Sequence, residues 1–189
     1  MGMTWPRRAV YRVRQFVRAV VACIRPLAAD ERAEARTWLP ESAWPLFDAM
    51  PRNDQRHSLN VLHALRAMDC DDPALMQAAL LHDVAKSACG VTLVHRVAAV
   101  LLKALQPNWA AAMAQPEAPA RSDLRYPLWA HAVHPQLGAE MAAAAGCDAV
   151  AVALIRRHQE PQRSAADRAT INDPTDSLLA ALQTADDNN

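Results

Sequence analysis

Glycine, lysine and paired cysteine are scarce in this chain of 189 residues, and each scarcity closes a class of fold or function. Glycine numbers only four, alternating β-branched runs are missing and alanine abounds, so helix is favoured nearly everywhere and the expected fold class is all-α. The four cysteines, Cys23, Cys70, Cys89 and Cys147, stand far apart without a C-x-x-C pair. That argues against both a thiolate zinc site and a secreted disulfide framework, and a reducing cytoplasm is the expected compartment. Charge of one sign is not in excess either. Basic and acidic residues balance at 20 each, so no nucleic-acid coat is implied and nucleic acid is not an expected partner.

Length alone allows one domain with a substantial core. A boundary is suggested only near residue 28. Before it, Arg7, Arg8, Arg12, Arg14, Arg18 and Arg25 alternate with Val10, Val13, Phe16, Val17, Val20, Val21 and Ile24 at helical spacing, with no acid among them. This reads as a basic amphipathic helix over residues 1–28, too broken by arginine to span a bilayer and without the apolar core of a signal peptide. Its expected place is packed on its own domain, or laid against an anionic membrane or a protein partner.

Residues 29–189 form the second unit, with helices expected near 30–38, 41–49, 53–69, 73–86, 92–105, 135–145, 148–158 and 175–186. Pro40, Pro51, Pro73, Pro107, Pro135, Pro161 and Pro174 fall at or between these segment ends. Asp72-Pro73 makes a good N-cap and first-turn pair. Two stretches read as long loops: Gln106 to Tyr126, a candidate lid, and Glu160 to Pro174.

Histidine and aspartate carry the chemistry. His82 and Asp83 are adjacent in Leu80-Leu81-His82-Asp83-Val84-Ala85-Lys86, and such a doublet can close on one metal ion if other histidines complete the shell. His57 lies upstream, and His134, His158 and Asp186 follow downstream. Four imidazoles and two carboxylates suffice for two divalent ions that share a carboxylate and keep positions for water and substrate. Manganese, iron, cobalt, nickel and zinc all suit such donors.

This ordered set, with Arg56-His57-Ser58, the doublet followed by Lys86, His134-Pro135-Gln136-Leu137-Gly138, Ile155-Arg156-Arg157-His158 and Ala185-Asp186, resembles the HD-domain superfamily of metal-dependent phosphohydrolases. The likeness covers about residues 53–187. It implies a helical HD-domain bundle, with the basic N-terminal helix as an addition. It further implies that His57, His82, Asp83 and Asp186 hold one metal, that His134 and His158 complete a dinuclear site, and that Asp83 bridges. The chain departs from the branch that cleaves cyclic dinucleotides: Gln159-Glu160-Pro161 follows His158 and no Gly-Tyr-Pro follows.

The expected activity is hydrolysis of a phosphoester or phosphoanhydride, with a nucleotide as the substrate class, by a metal-activated water. Asp83 would orient or deprotonate that water, and Lys86 would steady phosphate oxygens. Of 20 basic residues only Lys86 and Lys103 are lysine, so a lysine one turn beyond Asp83 stands out. It is read either as a catalytic and substrate-binding ammonium or as a solvated lysine at a helix end. Arg56, Arg156 and Arg157 flank proposed ligands, and Arg56 and Arg157 are candidates for phosphate recognition. His131 could share the face of His134, His63 should face away from His57, and His95 is expected to be structural. Two rival functions stay open: a dinuclear iron oxygenase on the same ligands, and a metal- or nucleotide-binding regulatory module without catalysis.

Overall fold

A computed structural model describes residues 26–92, 94–95, 98–99, 102, 118–161 and 175–189. The basic helix expected before residue 28 lies outside the described residues. So do most of the helix expected at 92–105 and most of the two long loops. Among the described residues the fold is all-α, without a strand. No helix among them is long and apolar enough to cross a membrane.

In chain order the helices are α1 (Ala29–Trp38), α2 (Trp44–Asp48), α3 (Arg52–Ala67), α4 (Pro73–Leu81), α5 (Val84–Ala88), α6 (Tyr126–Ala144), α7 (Ala149–Arg157) and α8 (Thr175–Asp187). The sequence of α4, Pro-Ala-Leu-Met-Gln-Ala-Ala-Leu-Leu, is apolar on every side except Gln77, and a helix of that kind belongs in the interior. It is indeed the central element, touching α1, α2, α3, α7 and α8. Leu75, Met76, Leu80 and Leu81 are fully buried, each burial being worth about 1.5–3 kcal/mol. Asp72 caps its start by accepting from the Leu75 amide at 3.0 Å, ahead of Pro73. Gln77, the one polar side chain, accepts from the backbone amide of Asp148 at 2.9 Å and so ties α4 to the start of α7.

Two helix ends differ from expectation, and both differences shape the site. The helix expected to run unbroken over 73–86 stops at Leu81 and resumes as α5 at Val84. His82 keeps helical dihedrals, but Asp83 has φ −104° and ψ 5°. Aspartate competes poorly for helix interiors, and this one turns its carboxylate away from the backbone toward other side chains. The break redirects the chain at the doublet.

The second difference is at Pro135, expected to open a helix but lying inside α6. Proline has no amide hydrogen, so the carbonyl of His131, four residues back, loses its helical donor. That carbonyl accepts instead from Nδ1 of His134 at 2.7 Å.

Among the described residues three helices end with a residue at positive φ: Asp69 after α3, Gly90 after α5 and Gly146 after α6. In each case the next amide reaches back five residues, Cys70 to Leu65, Val91 to Lys86 and Cys147 to Ala142. These are Schellman closures, and they fix where α5 and α6 terminate.

Candidate metal centre

The fold gathers side chains that are far apart in sequence. His57 comes from α3, His82 and Asp83 from the break between α4 and α5, His134 from α6, His158 from the C-cap of α7 and Asp186 from α8. His57, His82 and Asp83 form one group able to hold a metal ion, and Asp83, His134 and His158 form another, with donor atoms within 4.8 Å of one another in each. Asp83 belongs to both. Asp186 stands beside the first group, its Oδ1 2.9 Å from His57 Nε2 and 3.6 Å from His82 Nε2.

Three of the imidazoles are oriented by the same device. Nδ1 of His82 donates to the carbonyl of Ala79 at 3.0 Å, Nδ1 of His134 to that of His131 at 2.7 Å and Nδ1 of His158 to that of Ile155 at 2.7 Å. A carbonyl can only accept, so in each neutral ring the proton sits on Nδ1 and Nε2 presents a lone pair. Those lone pairs converge. His134 Nε2 and His158 Nε2 are 3.2 Å apart, and both face Asp83 Oδ1, at 3.4 Å and 3.7 Å.

Burial makes this arrangement costly without a cation. His82 and His134 are fully buried, His158 is 5 % exposed and Asp83 4 %. His82 Nε2 and Asp83 Oδ1 are buried atoms that make no hydrogen bond. The lone pairs of His134 and His158 converge on a buried carboxylate oxygen, an arrangement a divalent ion would satisfy, so the residues present fit a metal.

Titration follows the same lines. Burial is the strongest influence on His158 and pushes it down to about 3, helped by the charge of His82; burial likewise lowers His134. His82 is also penalised by burial, yet the carboxylates of Asp83 and Asp186 carry it above its ordinary value. Burial would raise Asp83, but His82 and Lys86 outweigh it and hold the carboxyl well below the usual range. Asp186 is held low in the same way, by His57 and His82.

Lys86 is not a solvated lysine at a helix end. It is 9 % exposed, and its Nζ lies 2.8 Å from both oxygens of Asp83. The two arginines considered for phosphate recognition are engaged elsewhere. Arg56 forms a two-pronged pair with Glu31 of α1, and this pairing raises its already high pKa. Arg157 reaches Asp176 at 2.6 Å, Thr175 at 3.0 Å and Glu160 at 3.2 Å, which binds the end of α7 to the start of α8; Arg156 is exposed. Adjacent residues on a helix point in different directions, which separates Arg56 from His57 and Arg157 from His158.

His131 stacks on His134 with ring centroids 5.7 Å apart, outside both groups. His63 turns outward to Glu34 at 2.9 Å. His95 accepts from the amide and hydroxyl of Thr92 at 3.1 Å and 3.0 Å.

The structure adds three supporting residues that the sequence reading passed over. Buried Asp54 accepts from Ser87 Oγ at 2.8 Å, joining α3 to α5, and Gln183 donates to the carbonyls of His158 and Glu160 at 3.1 Å and 2.8 Å. Asp54 and Gln183 each lie three residues ahead of an expected ligand, His57 and Asp186, and Ser87 follows Lys86. That helical spacing was the available signal. Comparison with protein-family models, curated proteins and solved structures finds no match.

Proposed function

We propose that the chain is a metal-dependent phosphohydrolase of the HD-domain type, cleaving a phosphoester or phosphoanhydride of a small substrate, with nucleotides as the favoured class. The observation that carries this reading is Asp83, one buried carboxylate common to two histidine-containing groups. Divalent ions bound there would lower the pKa of water from about 15.7 toward about 7 and offset charge developing on phosphoryl oxygens.

The side chains contribute order and access. His82, His134 and His158 are held by their Nδ1 bonds with Nε2 inward, so little reorganisation is needed when a cation enters. His57 and Asp186, 29 % and 30 % exposed, form the side through which a substrate can approach. Asp83 is held ionised by His82 and Lys86, which suits it to orient water rather than to take its proton. Lys86 acts through Asp83, the group it touches. Arg56 and Arg157 have no part in phosphate recognition in this account, since both are committed to carboxylates.

The test is phosphate release from a panel of mononucleotides and dinucleoside polyphosphates, with manganese, cobalt, zinc or ferrous iron supplied separately. The expected result is turnover with at least one metal, lost in Asp83→Asn. Oxygen uptake with ferrous iron and no phosphate release would replace the hydrolase by an iron oxygenase. Nucleotide binding without turnover under every metal would make the chain a regulatory module.

A further inference from the structure

We propose that Lys86 is a positioning residue that reserves Oδ2 of Asp83, leaving Oδ1 as the single oxygen that both metal groups share. The inference rests on the metal reading of the centre and concerns how Asp83 serves it.

A bridging carboxylate can offer one oxygen to each ion or the same oxygen to both. The surroundings of Asp83 distinguish its two oxygens. Lys86 Nζ is 2.8 Å from each of them but makes a hydrogen bond of good geometry only to Oδ2. Oδ1 is buried and accepts no hydrogen bond. It is also the oxygen the imidazoles face, with Nε2 of His82 at 3.7 Å, of His134 at 3.4 Å and of His158 at 3.7 Å. Donors to a metal therefore gather around Oδ1, while the lysine's hydrogen bond goes to Oδ2.

The lysine is not free to leave. It lies three residues after Asp83 on α5, where its amide donates to the Asp83 carbonyl at 3.0 Å and its carbonyl accepts from Val91 at 2.9 Å in the closure of that helix. The next residue, Ser87, is fastened to Asp54 of α3 at 2.8 Å. Swinging the ammonium out to meet a substrate would strip a buried carboxylate of its nearest cation, a change the site resists.

The test is X-ray absorption on the full chain loaded with cobalt, alongside Lys86→Met and Lys86→Arg, with ions per chain counted in the same samples. Two-ion centres span about 3.5–4 Å. The expected wild-type separation lies at or inside the short end of that span. Lys86→Met, which frees Oδ2 while keeping the length of the side chain, should still take about two ions per chain but move them apart; Lys86→Arg, which keeps donors on Oδ2, should stay closer to wild type. Equal separations in wild type and Lys86→Met overturn the proposal, as does weaker uptake in Lys86→Met without a change of distance, the signature of a merely structural lysine. If Lys86→Met does not fold, a wild-type separation at the long end of the span overturns it. Uptake of fewer than about two ions by the wild type removes the two-ion reading itself and this proposal with it, a result distinguishable from a wrong role for Lys86.

Discussion

The two sides of the centre contain similar residues in opposite conditions. On one side His57 and Asp186 pair at 2.9 Å and are about 30 % exposed; on the other His134 and His158 face each other at 3.2 Å, sealed from water, with no proton between their Nε2 atoms. The open side satisfies itself as a His–Asp pair when no ion is bound. The sealed side cannot, because both of its rings have spent their Nδ1 proton on a backbone carbonyl. Burial thus leaves one half with imidazoles that a cation could satisfy and the other half open to water.

The largest effect on this contrast should come from the residue both sides share. Asp83→Ala removes a donor from each group and leaves Lys86 buried without its carboxylate, a loss of about 3–5 kcal/mol for such a broken pair. Metal analysis and melting of the metal-free variant should show ion uptake abolished and the melting temperature sharply lowered. Retained uptake would mean that Asp83 does not join the two sides.

Next come the two sides separately. His158→Ala should cost about one ion per chain and open a cavity in the core, with a destabilisation of about 2–4 kcal/mol by analogy with other large-to-small core changes. His57→Ala, at the exposed edge, should weaken metal binding while the sealed group still loads, and should shift folding stability by less than about 1 kcal/mol. Calorimetric metal titration of both variants would sharpen the comparison, and identical losses would erase it.

Acid should distinguish the sides as well. His158 in the folded chain lies at about 3 and His134 below 6.5, so between these values the unfolded chain binds protons that the folded chain refuses. Stability of the metal-free protein should therefore fall as pH drops from 6.5 toward about 3, by ~1.4 kcal/mol per pH unit for His158, with His134 adding a loss of the same sign. His82 has the opposite sign: its folded value is raised, so its contribution is complete below the unfolded value and lost as pH rises through the folded one. Melting curves across this range, repeated with His158→Leu, should show a shallower acid slope in the variant.

The smallest effect expected is at Gly138 of α6. A Cβ there would sit 3.4 Å from Ile155, 3.6 Å from Val84 and 3.7 Å from the His82 carbonyl, ordinary contact distances. Gly138→Ala should fold normally and change stability by no more than about 1 kcal/mol, since helix propensity favours it. A larger side chain would push α6 off the doublet, so metal binding by Gly138→Leu should suffer while Gly138→Ala keeps it.

Much of this centre was legible in the sequence because its chemistry is carried by rare residue types in a fixed order. His57, the His82-Asp83 doublet, His134, His158 and Asp186 could be singled out one by one, and the structure brings them together. The all-α class followed from abundant alanine, few glycines and no alternating runs.

What was hidden depended on partners distant in the chain. The pairing of Arg56 with Glu31 and of Arg157 with Asp176 requires helices that only the fold places side by side. Pro135 was taken as a helix start because local rules disfavour proline inside a helix. Here the freed His131 carbonyl found a donor in a ligand side chain, and neighbours across the core held the helix through it. The break at Asp83 escaped notice for a related reason: a carboxylate recruited by Lys86 and facing imidazoles across the core no longer serves its own helix.

The most direct test of the account is the metal content of the full-length wild-type chain, loaded anaerobically, freed of loose ions and analysed by mass spectrometry. A centre built around a shared Asp83 predicts about two divalent ions per chain, with His158→Ala retaining about one. A wild-type chain that holds no ion under any metal tested would contradict it.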